Sequence, residues 1–327
     1  MKVVVTEHVF TDLNITEEVL APTGAELVFV PDPTPAVVLS HAKDADALLV
    51  CWTPIGREII SGLERCRAIV RFGIGVNNID IASATSAGII VANVPDYCID
   101  EVSDHALALL LCAARKVIPM DRSVRSGTWD HRLFSPVFRF RGKRAGLLGF
   151  GRIPRCLAGK LKALGMQVVA FDPYVKSEDA ADAGVSLVGL EELLRTSDYV
   201  SIHAPATPET RHIINGATLR MMKPTAILVN TARGDLVDQV ALAKALKEGV
   251  IAAAALDVLW DEGISPDDPL LACDNLILTP HAAFYSEESS AELQRKGAEQ
   301  ARMALEGKVP VYTLNKEIAE RWLKRWG

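Results

Sequence analysis

The sequence predicts an α/β protein built from two doubly wound parallel-sheet domains. Short apolar runs alternate with helical patterns along almost the whole chain, which favours parallel strands joined by helices. The chain has 327 residues, 49% of them hydrophobic, and this is enough for two separate cores. Near its middle, a glycine-rich turn at residues 149–151 separates an apolar strand pattern from an amphipathic helix pattern. Such a turn is typical of the start of a doubly wound domain.

The first part of the chain predicts a complete small sheet before this turn begins. Its strands are the apolar runs at residues 2–6, 25–30, 47–51, 68–71 and 89–92, and the stretches between them predict helices. A long apolar helix is predicted for residues 100–116. Its pattern fits equally a core helix and a helix at a domain or subunit contact.

The glycine-rich turn belongs to a complete strand, helix and strand unit. The pattern predicts a strand from residue 144 into the turn, a helix at 152–164 and a second strand at 167–171. Glycines let the backbone approach a pyrophosphate, and the helix N-terminus directs N–H groups and partial positive charge at it. Asp172 follows Gly151 by about 20 residues, where a carboxylate binds the adenosine ribose 2'-hydroxyl and repels a 2'-phosphate. This unit predicts NAD as cofactor rather than NADP.

One position departs from the glycine pattern. Pro154 stands where the third glycine of G-x-G-x-x-G is expected. Proline is tolerated in the first turn of a helix, because its missing N–H would have no helical partner there. We therefore expect the helix to form. What Pro154 changes is how closely the first turn of this helix can pack on the sheet.

The second part of the chain continues the cofactor sheet and then returns to the first one. Strands are predicted at residues 199–203, 226–230, 252–257 and 276–279, and a helix at 287–305 with Ser286 as its N-cap. The tail at 312–327 is too short for a domain and is expected to pack on the first one. The prediction is a Rossmann domain, residues 99–287, inserted into a flavodoxin-like domain formed by residues 1–98 and 288–327.

Composition excludes several classes of protein. The net charge of −6 and the dispersed basic residues provide no electrostatic footprint for nucleic acid. No apolar run approaches the roughly 18 residues of a membrane span, and the N-terminus does not resemble a signal peptide, so we expect a cytoplasmic protein. The six cysteines contain no C-x-x-C and are expected to be free thiols, with no metal site.

Two candidate catalytic side chains follow predicted strands of the second sheet. Arg233 lies on the kind of loop where an open α/β sheet binds its ligand, and its guanidinium matches a carboxylate. His281 follows the last predicted strand, and histidine is the side chain best suited to transfer a proton near neutral pH. Glu262 is a candidate partner that holds this imidazole. The neighbouring Asp261 leaves the choice of carboxylate open.

Six motifs in a fixed order carry a resemblance that covers nearly the whole chain. They are R-F-G-I-G-V-N-N-I-D at 71–80, N-V-P-D at 93–96, G-F-G-R-I at 149–153, N-T-A-R-G at 230–234, A-L-D-V at 255–258 and T-P-H-A-A-F-Y-S at 279–286. Together they resemble the D-isomer-specific 2-hydroxyacid dehydrogenase family, in its C-terminal-binding-protein-like or phosphoglycerate-dehydrogenase-like branch. Phe284 stands where that branch carries tryptophan, and Gly263 and Asn77 replace the family's usual proline and aspartate.

The resemblance implies a role for each candidate residue. It implies that Arg233 binds the substrate's carboxylate and carbonyl, that His281 is the general acid/base, and that Glu262 orients the histidine. It implies that the substrate lies in an interdomain cleft, with the first domain as the substrate domain. Further substrate contacts are implied for Arg71, Gly73, Gly75, Val76 and Phe284. NAD contacts are implied for Gly149, Gly151, Arg152, Ile153, Asp172, His203, Ala204, Pro205, Thr231, Ala232, His281 and Asp257, the last at the nicotinamide amide.

Two hypotheses follow for function. The first is an NAD-dependent oxidoreductase that transfers a hydride between nicotinamide and C2 of a D-2-hydroxy acid or 2-keto acid. The second is an NAD(H)-sensing, corepressor-like binding protein with little turnover, because the branch includes corepressors that keep the dehydrogenase fold. By resemblance we also expect a homodimer, with the helix at 100–116 as a contact.

Overall fold

The computed structural model describes all residues, Met1–Gly327, and the chain divides into two compact units. The first unit comprises Met1–Tyr97 and Ser286–Gly327, and the second comprises Cys98–Tyr285. The predicted boundaries, after residue 98 and before residue 288, lie next to these divisions.

The strands and helices alternate along the chain. The strands are β1 Lys2–Val5, β2 Glu26–Phe29, β3 Ala47–Val50, β4 Ala68–Arg71, β5 Ile90–Ala92, β6 Arg144–Leu148, β7 Gln167–Phe171, β8 Ser186–Leu187, β9 Tyr199–Ile202, β10 Ile227–Asn230, β11 Ala253–Leu256 and β12 Leu276–Leu278. The α-helices are α1 Asn14–Leu20, α2 Pro35–Ala42, α3 Arg57–Ser61, α4 Ile81–Ala87, α5 Ile99–Arg115, α6 Val117–Arg125, α7 Arg152–Ala163, α8 Ser177–Ala181, α9 Leu190–Thr196, α10 Gly216–Leu219, α11 Gln239–Lys247, α12 Glu287–Leu305 and α13 Ala319–Trp326.

The first unit contains a five-stranded parallel sheet in the order β2-β1-β3-β4-β5. This is the flavodoxin-like strand order, as predicted. The central strands β3 and β4 are buried along their whole length, which explains why they appear in the sequence as continuous apolar runs.

The C-terminal part of the chain completes the first unit. Ser286 caps α12 in a reciprocal capping box with Ser289, as its position before the helix predicted. The tail then packs on the first sheet, because the Asn315 side chain accepts a hydrogen bond from Val91 N at 2.9 Å and Trp322 Nε1 donates to Arg67 O at 2.8 Å.

The second unit contains a seven-stranded parallel sheet in the order β12-β11-β10-β9-β6-β7-β8. The chain proceeds from β6 to β7 on one side and then crosses to β9 on the other side of β6. The strand order therefore reverses between β6 and β9, which is where an open α/β sheet binds its ligand. The two-residue edge strand β8 was not predicted, since so short a segment has no periodicity to detect.

Helices α7 and α5 both pack within the second unit. Pro154 is buried in the first turn of α7, and Leu157, Ala158 and Leu161 are fully buried behind it, so the helix packs without the third glycine. Helix α5 packs against α7 and against β10 and β11 of the second unit, as the core-helix alternative predicted. Its place at a subunit contact stays a prediction. No helix is both long and apolar enough to span a membrane.

Candidate active site

One edge of the second sheet gathers the predicted cofactor and catalytic residues. Because all of its strands are parallel, their carboxyl ends lie along the same edge. The glycine-rich turn follows β6, Asp172 follows β7, and His203 follows β9. Arg233 follows β10, Glu262 follows β11, and His281 follows β12. The three catalytic candidates thus come from three adjacent strands.

Different features of the structure explain the two glycines of the turn. Gly149 has a φ of +95°, and a Cβ at this position would lie 2.9 Å from the backbone of His203 and Ala204. Only glycine therefore lets β6 and β9 approach so closely at the switch point, where the strand order reverses. Gly151 has ordinary backbone angles, and a Cβ there would meet nothing within 4 Å. No protein neighbour requires glycine at residue 151, which fits a backbone that a ligand approaches.

Asp172 braces the same turn. Its Oδ2 accepts a hydrogen bond from Phe150 N at 2.8 Å, and its Oδ1 accepts from Tyr174 N at 2.9 Å. Carboxylate oxygens have about four acceptor sites in total, so Asp172 can hold the turn and also accept from a ribose hydroxyl.

A buried hydroxyl at the end of β10 indicates a further ligand contact. Thr231 is only 8% exposed, and its Oγ1 has no hydrogen-bond partner in the protein. A buried polar atom without a partner costs free energy unless a ligand or water satisfies it. With the turn, the α7 N-terminus and Asp172, this atom fits a dinucleotide along the sheet edge. Arg152 and Ile153 open α7, and Ala232 follows Thr231.

His203 is held in its neutral form beside the glycine turn. Burial lowers the pKa of His203 to about 3, and its Nε2 lies 2.8 Å from Ser201 Oγ. The imidazole therefore presents a neutral, oriented ring at the switch point, next to Ala204 and Pro205.

Arg233 lies on a tightly organised loop. Asn230 is fully buried, and its side chain donates to Arg233 O at 2.8 Å and accepts from Ala232 N at 3.0 Å. Gly234 then passes against the loop that follows β11, because a Cβ at residue 234 would lie 2.0 Å from the carbonyl carbon of Leu259. The close approach brings the Arg233 loop and the loop that carries Glu262 into direct contact.

The structure pairs His281 with Glu262. His281 Nδ1 lies 2.5 Å from Glu262 Oε1, while the Asp261 carboxylate accepts a hydrogen bond from Gly263 N at 3.2 Å. Residue chemistry alone left the choice between the two carboxylates open, and the structure has the pair that the family resemblance implied. The Phe284 ring lies edge-on to the imidazole, with centroids 6.1 Å apart.

Asp257 lies at the centre of a hydrogen-bond network in the second unit. Its side chain is buried, and its carboxylate accepts hydrogen bonds from Thr279 Oγ1 at 2.5 Å and from the amides of Ala282 and Ala283, both at 2.9 Å. Burial alone would raise the pKa of this carboxyl, but these hydrogen bonds and His105 outweigh it and lower the pKa to about 2. Asp257 therefore holds the turn that carries His281, and a contact with nicotinamide stays a prediction.

The first unit holds the remaining substrate candidates in the loops after β3 and β4. The Arg71 side chain is 7% exposed, donates from Nε to Cys51 O at 3.2 Å, and lies 5.2 Å from the Trp52 ring centroid. Gly73 has a φ of +142°, and a Cβ there would collide with the Arg71 guanidinium. Gly75 and Val76 follow in the same loop. Burial raises the pKa of the Cys51 thiol to about 12, so this cysteine is not a nucleophilic thiolate.

Two polar residues were missed in the sequence. Glu7 follows β1 and accepts hydrogen bonds from the amides of Cys51, Trp52 and Thr53, which fixes the loop beside Arg71. His105 lies on α5, 3.0 Å from Thr279 Oγ1. Glu7 could have been found from its place directly after a predicted strand. His105 had no such signal, because a single histidine in an apolar helix is typical of a core.

Comparisons with known proteins show the family to which the chain belongs. The family model for the D-isomer specific 2-hydroxyacid dehydrogenase NAD binding domain matches residues 107–283. Glyoxylate reductase of Korarchaeum cryptofilum is 41% identical over 292 residues, which cover 88% of either chain. D-3-phosphoglycerate dehydrogenase of Methanocaldococcus jannaschii is 39% identical over 318 residues, which cover 96% of this chain but only 59% of that protein.

A solved structure supports the same grouping. The structure of D-lactate dehydrogenase from Aquifex aeolicus, complexed with NAD and lactic acid, has a TM-score of 0.86 to this chain at 27% identity and covers 98% of both chains. All three similar proteins are named as dehydrogenases or reductases. The alternative of a corepressor-like sensor finds no support in them.

Proposed function

The chain belongs to the D-isomer-specific 2-hydroxyacid dehydrogenase family and is an NAD-dependent enzyme of that class, and from this premise we propose which residues perform its reaction. His281 is the general acid/base, Glu262 orients it, and Arg233 binds the carboxylate of a D-2-hydroxy acid or 2-keto acid. The observation that carries this proposal is the 2.5 Å pair of Glu262 and His281 on the sheet edge that also carries Arg233.

The imidazole and its carboxylate partner divide the work of proton transfer. Since Nδ1 of His281 bonds Glu262, we assign Nε2 to the exchange of a proton with the substrate oxygen. In the reducing direction His281 donates this proton to the carbonyl oxygen of the keto acid. In the oxidising direction it accepts the proton from the hydroxyl group. The carboxylate stabilises the imidazolium and fixes the ring orientation, as in other histidine catalysts.

Arg233 supplies the positive charge of the site. A guanidinium is protonated at any working pH and offers parallel N–H donors to a carboxylate. The loop that holds Arg233 is anchored through Asn230 and Gly234, so the cation is held in place before the substrate binds.

NAD is the cofactor of this family, and when bound it exchanges a hydride with C2 of the substrate. We propose that Gly149, Gly151 and the α7 N-terminus bind its pyrophosphate and that Asp172 binds the adenosine ribose. Arg152, Ile153, His203, Ala204, Pro205, Thr231, Ala232 and Asp257 are proposed to line the rest of its site.

The substrate is proposed to be a small, unphosphorylated acid. Within the first unit, Arg71, with the amides of Gly73, Gly75 and Val76, is proposed as an anion-binding set, and the apolar Trp52 lies beside Arg71. Within the second unit, Phe284, next to His281, is proposed as an apolar substrate contact. The sequence offers no further basic cluster for a phosphate group. Among the substrate names of the relatives, glyoxylate and lactate therefore suit this chain better than phosphoglycerate.

Two expectations about the protein's state remain proposals. A homodimer, with helix α5 as one of its contacts, is expected from the family resemblance. A cytoplasmic location is proposed as well. Light scattering of the purified chain tests the first of these.

A substrate screen tests the proposed activity. NADH fluorescence is followed with glyoxylate, pyruvate, longer 2-keto acids and 3-phosphohydroxypyruvate, and in parallel with NADPH. We expect consumption of NADH with a small 2-keto acid and formation of the D-hydroxy acid, which chiral chromatography identifies. Tight NADH binding without consumption in any reaction would refute the proposal and favour the sensor.

A further inference from the structure

A chain of hydrogen bonds connects helix α5 to the turn that carries His281. His105 Nε2 lies 3.0 Å from Thr279 Oγ1 and 3.4 Å from Asp257 Oδ1. Thr279 Oγ1 in turn lies 2.5 Å from Asp257 Oδ1. Neither the sequence motifs nor the proposed reaction assigns any task to His105.

The direction of these hydrogen bonds follows from the protons available. The pKa of Asp257 is about 2, so its carboxylate is ionised at working pH and can only accept. Thr279 has one hydroxyl proton, which is donated to Asp257 across the short contact. The Thr279 oxygen must then accept from His105, which fixes the tautomer of His105 with a proton on Nε2.

Asp257 transmits this contact to the catalytic histidine. Its backbone carbonyl accepts from His281 N at 2.8 Å, and its carboxylate accepts from the next two amides, those of Ala282 and Ala283. Three consecutive amides of the turn therefore bond to one residue.

The turn needs this support. His281 has a φ of +53°, in the left-handed region, which a residue with a side chain adopts at some cost and keeps only when its surroundings impose it. The direction of the imidazole thus depends on how firmly Asp257 and Thr279 are held.

We propose that His105 is a positioning residue for catalysis: by donating to Thr279 it holds the carboxylate of Asp257 and, through it, the turn that aims His281. The inference rests on the proposed role of His281. It differs from a packing role, because the side chain of His105 is 25% exposed and acts through a polar atom.

Matched variants test this role. His105→Leu removes the donor and puts an apolar side chain of similar size in its place. His105→Gln keeps an N–H near the position of Nε2. Loss of one hydrogen bond in the network predicts a kcat reduced about threefold to tenfold in His105→Leu. His105→Gln is expected to restore at least half of the wild-type kcat. The Kd of NADH, measured by fluorescence, is expected to change less than the kcat.

The second pair of variants addresses the intermediary. Thr279→Val removes the hydroxyl and Thr279→Ser keeps it, so Thr279→Val should reproduce the loss seen in His105→Leu while Thr279→Ser should not. The combination of His105→Leu with Thr279→Val should be no slower than either alone, because both interrupt one chain. Multiplied losses in the double variant would overturn the proposal.

A cycle with the catalytic histidine separates positioning from general stability. If His105 acts only through His281, His105→Leu has no further effect on the residual rate of a His281→Ala enzyme. If His105→Leu slows the His281→Ala enzyme by the same factor by which it slows the wild-type enzyme, the positioning role is wrong. The role is also wrong if His105→Gln fails to restore kcat although its melting temperature is unchanged. A His281→Ala variant that keeps full activity would instead refute the proposed function itself.

Discussion

The contact at Gly234 gives a quantitative prediction for the active site. In Gly234→Ala the added Cβ would lie 2.0 Å from the carbonyl carbon of Leu259 and 2.3 Å from Trp260 N. Non-bonded carbon atoms prefer a separation of about 3.5 Å, so one of the two loops has to move by more than about 1 Å. One of these loops carries Arg233 and the other leads to Glu262.

The size of the effect follows from this displacement. A misplacement of about 1 Å in a catalytic group can reduce the rate about 100-fold, and overpacking a tight contact costs about 1 to 3 kcal/mol of stability. We therefore expect kcat/KM for the keto acid to fall about 100-fold in Gly234→Ala, with a folded protein that still binds NADH. Steady-state kinetics, NADH fluorescence titration and urea unfolding measure these three quantities.

The matched control is Gly189→Ala in the same unit. A Cβ at residue 189 would meet nothing within 4 Å, and the φ of −66° suits alanine. This variant should keep wild-type kinetics. If Gly234→Ala also stays within threefold of the wild-type kcat/KM, the argument that this contact sets the relative position of the two loops is refuted.

Two further predictions concern buried charge and cofactor choice. Folding lowers the pKa of Asp257 from its ordinary 3.8 to about 2, so its ionised form contributes about 2 kcal/mol, present above pH 4 and lost as the pH falls towards 2. Urea unfolding should show Asp257→Asn about 2 kcal/mol less stable at pH 7, with the difference narrowing below pH 4; a difference unchanged at pH 3 would contradict this origin. Asp172→Asn removes the charge that we propose repels a 2'-phosphate, and it should raise the ratio of NADPH to NADH kcat/KM by about tenfold. An unchanged ratio would mean that Asp172 only braces the turn.

Much of the fold follows from local sequence. The central strands are buried on both faces, so β3 and β4 appear as apolar runs that need no further information. The cap of α12 likewise follows from Ser286 alone. The tolerance of Pro154 was also predictable, because the first helical turn lacks the hydrogen bond that proline would remove.

The site was predictable only where a residue type and a strand end coincide. Arg233 and His281 became candidates in that way. The preference for Glu262 over Asp261 came only from the family resemblance, because residue chemistry does not show the path of a loop whose neighbours are distant in sequence. The network around Asp257 was missed for the same reason, since its partners His105 and Thr279 come from a helix and a strand end far apart in the chain.

The most direct test of the central claim is the single-turnover rate of NADH oxidation in His281→Ala, with saturating keto acid and enzyme in excess over NADH. General acid/base catalysis typically contributes about 10²–10⁴-fold, so we predict a rate lower by about that factor, with the Kd of NADH unchanged within a few fold. A His281→Ala enzyme that oxidises bound NADH at the wild-type rate would contradict the assignment of the acid/base.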